Sequence, residues 1–218
     1  MNSRYFAIPI ITQEVKHMKS NDLILVIDPQ KVYLPGAPWG CPRLPEATRN
    51  IKKILDAVLA ETEAKPEPEW EAPEVFLTRF VADPTARRNT WEQYNLENRE
   101  INEDPVMNEL IPEIAAYAEN FPYYDKSVYS AFHLRAIRDA AERATKAGGR
   151  IVLTGVVAEC CVLSTFFEGC DLGHHFLYLT DAVAGVNRAS ESSVETILQG
   201  LSPLHVELMR TEDYLNEC

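Results

Sequence analysis

Leu23-Ile24-Leu25-Val26-Ile27 runs without a polar break into Asp28-Pro29, and that stretch decides the fold. A strand with one wet face alternates apolar and polar residues; an unbroken run of this length reads as a parallel strand covered on both sides. Working outward, Ile51, Ile54, Leu55, Val58 and Leu59 recur at helical spacing, followed by a Pro/Glu-rich loop over residues 65–74 and a second strand, Val75 to Phe80. Residues 81–104 are polar, carry Trp91 and Tyr94, and show no period, so they read as a long excursion. Asp104-Pro105 predicts a helix start, with Val106, Leu110, Ile114 and Tyr117 as one buried face. Another helix carries Leu134, Ile137, Ala141 and Ala144 and stops at Gly148-Gly149, glycine being the usual helix terminator. A third strand, Arg150 to Thr154, runs into Gly155, and the helix after Cys161 stops near Gly173. Phe176 to Thr180 is a fourth strand closed by Asp181, Ser190 can cap a helix carrying Val194, Ile197 and Leu198 that ends at Gly200, and His205 to Met209 is a last strand. Alternating strands and helices predict one three-layer α/β/α domain with a mostly parallel sheet. It spans residues 1–218, with 1–21 as an N-terminal extension.

With 218 residues, 46% of them hydrophobic and 25% charged, the chain has the balance of a globular domain large enough to bury a substantial core. A net charge of −12 argues against a nucleic-acid surface, which normally clusters Lys and Arg. The apolar stretch Phe6-Ala7-Ile8-Pro9-Ile10-Ile11 is too short for a membrane span and lacks the flanks of a signal peptide. Five cysteines, two of them adjacent, do not form a disulfide framework and point to a reducing, cytoplasmic compartment.

In open parallel sheets, ligands bind beyond the carboxyl ends of the strands. That rule selects Asp28 after the first strand, Cys160-Cys161 at the turn into a helix, and Asp181. The exposed N–H groups and dipole of a helix N-terminus favour thiolate and can hold an oxyanion. Asp28 can act as base if it lies beside the thiol. Each signal has a plain alternative: a free cysteine is often just a small buried hydrophobe, and an Asp at a strand end often just caps a loop.

Taken together, Leu25-Val26-Ile27-Asp28-Pro29-Gln30, Tyr124 to Phe132 with Lys126, and Thr154-Gly155-Val156-Val157-Ala158-Glu159-Cys160-Cys161-Val162-Leu163-Ser164-Thr165 resemble the isochorismatase-like cysteine hydrolases. The resemblance extends from about residue 22 onward. It implies a Rossmann-like fold and an Asp28, Lys126, Cys161 triad, with Cys161 chosen over Cys160 because it stands six residues after Gly155 and directly before Val162. It further implies a cis peptide at Val156–Val157 that turns the N–H groups of Val157 and Cys161 toward an oxyanion. The implied activity is cleavage of a small amide, ureide or carbamoyl compound through an acyl-thioester. The alternatives are an isochorismatase-type vinyl-ether hydrolase using Asp28 and Lys126 without the cysteine, and a thiol redox protein working through Cys160-Cys161. A homo-oligomer, dimer or tetramer, with a small-molecule substrate and no nucleic-acid or membrane partner is expected.

The sequence departs from the metal-dependent branch of that family. No histidine lies between His17 and His133, so no metal and no cofactor is expected. Tyr33, Arg79 and Phe132 are candidates for substrate contact or for packing, and Trp39 and Trp91 sit in loops able to cover the site. His174 and His175 read as surface or packing residues.

Overall fold

The computed structural model describes residue 19 and residues 21–64, 72–85 and 89–217. The apolar stretch Phe6–Ile11, His17 and most of the Pro/Glu-rich loop lie outside the described residues. The strands are β1 (Leu23–Ile27), β2 (Glu74–Phe80), β3 (Tyr123–Lys126), β4 (Ile151–Val156), β5 (Phe176–Ala184) and β6 (Val206–Met209). All adjacent pairs are parallel, in the order β3-β2-β1-β4-β5-β6. The helices are α1 (Leu44–Ala64), α2 (Thr90–Glu97), α3 (Arg99–Asn102), α4 (Pro105–Asn108), α5 (Pro112–Ala115), α6 (Arg135–Lys146), α7 (Leu163–Asp171), α8 (Arg188–Gln199) and α9 (Thr211–Leu215).

Side-chain alternation along the strands divides the core in two. Ile24 and Val26 of β1 and Val152 of β4 pack with Ile51, Ile54 and Val58 of α1, Ile114 of α5 and Tyr214 of α9. Leu23, Leu25 and Ile27 face the other way, with Ile137 and Ala141 of α6, Phe166 of α7 and Val194 and Leu198 of α8. Helices therefore cover both faces, which is why β1 can be apolar at every position.

Four local readings are corrected. The strand β3 falls in a segment with no apolar run: only Lys126 of its four residues is buried, and it occupies the sheet edge beside β2. The helix read from residue 105 is two short helices, because Pro112 lacks the N–H a continuing helix needs; Val106 is exposed while Leu110, Ile114 and Tyr117 are buried. Asp181 does not close the fourth strand, since β5 continues to Ala184 past a register shift against β4. Asn187 rather than Ser190 caps α8, its Oδ1 accepting from Ser190 N at 2.9 Å, and Ile197 is exposed. Among the described residues, no helix is long and apolar enough to cross a membrane.

Candidate active site

The strand order reverses direction at β1 and β4, whose connections leave toward opposite edges. A crevice opens beyond the carboxyl ends of two such strands. Asp28 directly follows β1 and adopts φ 49°, a left-handed conformation that a non-glycine residue holds only where its surroundings fix it. Gly155, near the end of β4, has φ 102°, and a Cβ there would lie 2.1 Å from the Ile27 carbonyl oxygen. Only glycine lets β4 approach β1 this closely beside Asp28.

Three ionisable groups meet at this point. Asp28 is fully buried; its Oδ1 accepts a hydrogen bond from Thr78 Oγ1 at 2.7 Å, and its Oδ2 faces Lys126 Nζ at 2.6 Å. Lys126, at the end of β3, also donates to the Val128 carbonyl at 3.1 Å. Burial works against its ammonium, but the Asp28 carboxylate and the Cys161 sulfur outweigh it and hold the pKa above the usual lysine value. Cys161 is 2% exposed. Burial first, and then the Asp28 charge, push its thiol well above the ordinary range, with Lys126 pulling the other way. Burial and the Asp28 charge therefore oppose the thiolate that the N–H groups of a helical turn favour, and Lys126 supports it.

Cys161 sits in a π-helical turn, Ala158–Val162, that leads into α7; such turns recur at functional sites. The peptide bond between Val156 and Val157 is cis. The Val157 carbonyl accepts from Cys160 N at 3.0 Å and from Val162 N at 3.2 Å, the two amides that bracket the N–H of Cys161.

Above the sulfur lies a pocket of about 410 Å³, walled by Tyr33, Trp39, Phe80, Tyr94 and Tyr129, with Cys160 and Cys161 at its base. The rings form a continuous set: Trp39 lies 5.8 Å from Tyr33 and 6.3 Å from both Phe80 and Tyr94, centroid to centroid. Trp91 buttresses this wall at 5.4 Å from Tyr94 and 5.0 Å from Tyr129. The excursion over residues 81–104 thus contributes α2 as one side of the pocket.

Of the three candidates for substrate contact, the structure brings Tyr33 to the pocket but not Arg79 or Phe132; Trp39, read as a loop residue able to cover the site, also lines it. Arg79 points away from Thr78 and Phe80 by strand alternation. It makes a two-pronged pair with Asp125 at 2.7 and 2.8 Å and lies over the Tyr123 ring. Phe132 is fully buried, stacked on His174 at 5.4 Å and edge-on to Phe176 at 6.3 Å. His174 is a packing residue, with its Nδ1 2.7 Å from Thr145 Oγ1. Asp181 is structural: its Oδ1 accepts from Thr211 N and Oγ1, both at 2.8 Å.

The sequence reading missed Thr78, Gln30, Tyr94 and Tyr129. Thr78 sits on the strand next to Asp28, and a buried carboxylate needs such a donor. Gln30 is fully buried and clamps Phe80 through Oε1 to its N–H (2.7 Å) and Nε2 to its carbonyl (2.9 Å), which fixes that wall of the pocket. Among the described residues, no three His, Cys, Asp or Glu side chains converge closely enough to hold a metal ion.

The comparisons with known proteins agree with this architecture. No curated protein matches the sequence. Among solved structures, a cysteine hydrolase from Pseudomonas syringae pv. phaseolicola 1448A is similar, with a TM-score of 0.71 at 17% identity over 93% of this chain and 97% of that one. An isochorismatase-like hydrolase from Alkaliphilus metalliredigens gives 0.67 at 18% over 90% and 98%. The N-carbamoylsarcosine amidase of Thermoplasma acidophilum gives 0.61 at 16% over 87% and 96%. At these identities the likeness shows a shared fold. The family model of the isochorismatase domain matches residues 22–213, nearly the whole described chain and every residue of the site, and the chain belongs to that family.

Proposed function

We propose that this protein is a metal-independent cysteine hydrolase that cleaves a C–N bond of a small amide, ureide or carbamoyl compound. The observation that carries the reading is the buried pair of Asp28 and Lys126, 2.6 Å apart, with the Cys161 thiol at the base of an adjoining pocket. The similarity to an N-carbamoylsarcosine amidase supports the bond class.

Each charge that develops has a group to meet it. As the Cys161 sulfur attacks the carbonyl carbon, its proton passes to Asp28, so free thiolate need not accumulate. The carbonyl oxygen becomes an oxyanion, received by the N–H groups of Val157 and Cys161. Asp28 then gives the proton to the departing nitrogen as the C–N bond breaks. A water molecule, deprotonated by Asp28, resolves the thioester and restores the thiol. Lys126, 2.6 Å from Asp28 Oδ2, stays charged throughout and holds that carboxyl group in place for each transfer.

The test is an ammonia-release screen over small primary amides, ureas and carbamoyl compounds, run with and without exhaustive chelation. Turnover that survives the chelator is expected. Cleavage of isochorismate by both wild type and Cys161→Ala, with no amide turned over, would replace this reading with vinyl-ether hydrolysis. Reversible thiol oxidation with no hydrolysis of either class would replace it with redox chemistry.

A further inference from the structure

Gly185 and Val186 follow β5 directly, and Val186 forms part of the pocket wall. Their successive N–H groups are gripped by two different carboxylates. Gly185 N donates to Glu191 Oε1 at 3.0 Å, and Val186 N donates to Glu159 Oε1 at 3.1 Å. Glu191, on α8, is a structural anchor: it is 3% exposed, and its Oε2 accepts from Arg43 Nη1 at 2.8 Å and Arg188 Nη1 at 3.0 Å.

Glu159 is held differently. It belongs to the π-helical turn, two residues before Cys161, and its Oε2 is buried without a hydrogen-bond partner among the described residues. A buried carboxylate oxygen left unpaired is costly, so global stability is not what this side chain serves best. A Cβ at position 185 would lie 2.5 Å from that same oxygen. The glycine therefore leaves the space in which the Glu159 carboxylate reaches across. Together with burial, the Glu159 charge also raises the pKa of the neighbouring Cys160 thiol.

We propose that Glu159 is a positioning residue that locks the turn bearing Cys161 onto the pocket wall at Val186. It sets the separation between the sulfur and the surface against which the acyl group of the substrate rests. This rests on the reading of Cys161 as nucleophile. Glu191 holds the loop to the fold; Glu159 holds the nucleophile to the loop.

Two electrophiles test it without knowledge of the substrate. Iodoacetamide needs only the sulfur, whereas N-benzyl iodoacetamide must also seat its ring in the pocket. The ratio of their labelling rates at Cys161, read by peptide mass spectrometry, reports the alignment of the two. Misplacement by 1 Å costs up to ~10²-fold in a reaction that depends on positioning, and a partial displacement is expected to lower the ratio about tenfold. Glu159→Ala should show this loss. Gly185→Ala should reproduce it from the other side of the contact, by pushing the carboxylate away. Glu159→Gln keeps an acceptor oxygen for Val186 N and should retain most of the ratio. Unchanged ratios in Glu159→Ala and Gly185→Ala, whatever their melting temperatures, overturn the proposal, and the hydrolase reading stands if Cys161 remains the labelled residue. Label on Cys160 in place of Cys161 in the wild type overturns both.

Discussion

Replacing Asp28 with Asn separates two effects of that carboxylate: its charge raises the thiol pKa, and in the proposed mechanism it carries the proton. The change keeps the shape and the Thr78 hydrogen bond, but it leaves Lys126, whose side chain is fully buried, without its counter-ion. Breaking a buried ion pair costs about 3–5 kcal/mol. At ~2–4 °C per kcal/mol for a chain of this size, Tm should fall by roughly 6–20 °C. The thiol responds in the opposite sense to turnover. With Asp28 neutral, burial still disfavours the Cys161 thiolate, but Lys126 now faces it unopposed. Two unit charges ~4 Å apart at an effective dielectric of 20 interact by about 4 kcal/mol, equivalent to roughly three pH units. The pH profile of Cys161 alkylation by iodoacetamide should therefore move to lower pH in the variant. Amide turnover should fall ~10²–10⁴-fold, because nothing delivers a proton to the leaving nitrogen. The assay pairs alkylation rates at Cys161 across about pH 6 to 10 with ammonia release on the same preparations. An alkylation profile that coincides with wild type, or turnover that persists in Asp28→Asn, would refute Asp28 as the proton carrier.

Further expectations follow from single contacts. Thr78→Val removes the donor to Asp28 Oδ1; it should cost about 1–3 kcal/mol in urea unfolding and lower kcat, and an unchanged stability would refute the contact. Gly155→Ala places a methyl 2.1 Å from the Ile27 carbonyl at φ 102°. It should abolish activity and destabilise more than any surface substitution, as read by thermal melting. Burial lowers the pKa of His174, so the stability it contributes is complete above the unfolded histidine value, about 6.5, and is lost as pH falls toward the folded value. Wild type should therefore lose stability more steeply than His174→Phe between about pH 7 and 5, and parallel denaturation curves would contradict this.

The central layer was legible because β1, β4 and β5 are buried on both faces and announce themselves as apolar runs. β3 was not, because an edge strand of four residues with one buried position carries no such signal. Pro112 marked the break between α4 and α5, and the apolar spacing of Leu110, Ile114 and Tyr117 concealed it. At the site, Asp28 and Cys161 could be placed on elements in advance, one after a strand and one opening a helix, whereas Lys126 came only through the family resemblance, because β3, which it ends, was not legible. Arg79 was avoidable: strand alternation puts it opposite Phe80, so both cannot face one pocket. Phe132 and Tyr129 lie three residues apart in an irregular segment, and nothing local says which ring turns inward. Tyr94 comes from α2, a helix with no buried residue, whose place is set by ring contacts with distant segments.

The central claim is that Cys161 carries the acyl group. The most direct measurement is rapid acid quench of wild type, Cys160→Ala and Cys161→Ala during turnover of an amide from the release screen, followed by intact and tandem mass spectrometry. A mass increase equal to the acyl group, mapped to Cys161, is predicted in wild type and in Cys160→Ala, with neither adduct nor ammonia in Cys161→Ala. Turnover at the wild-type rate by Cys161→Ala, or an adduct confined to Cys160, would contradict the account.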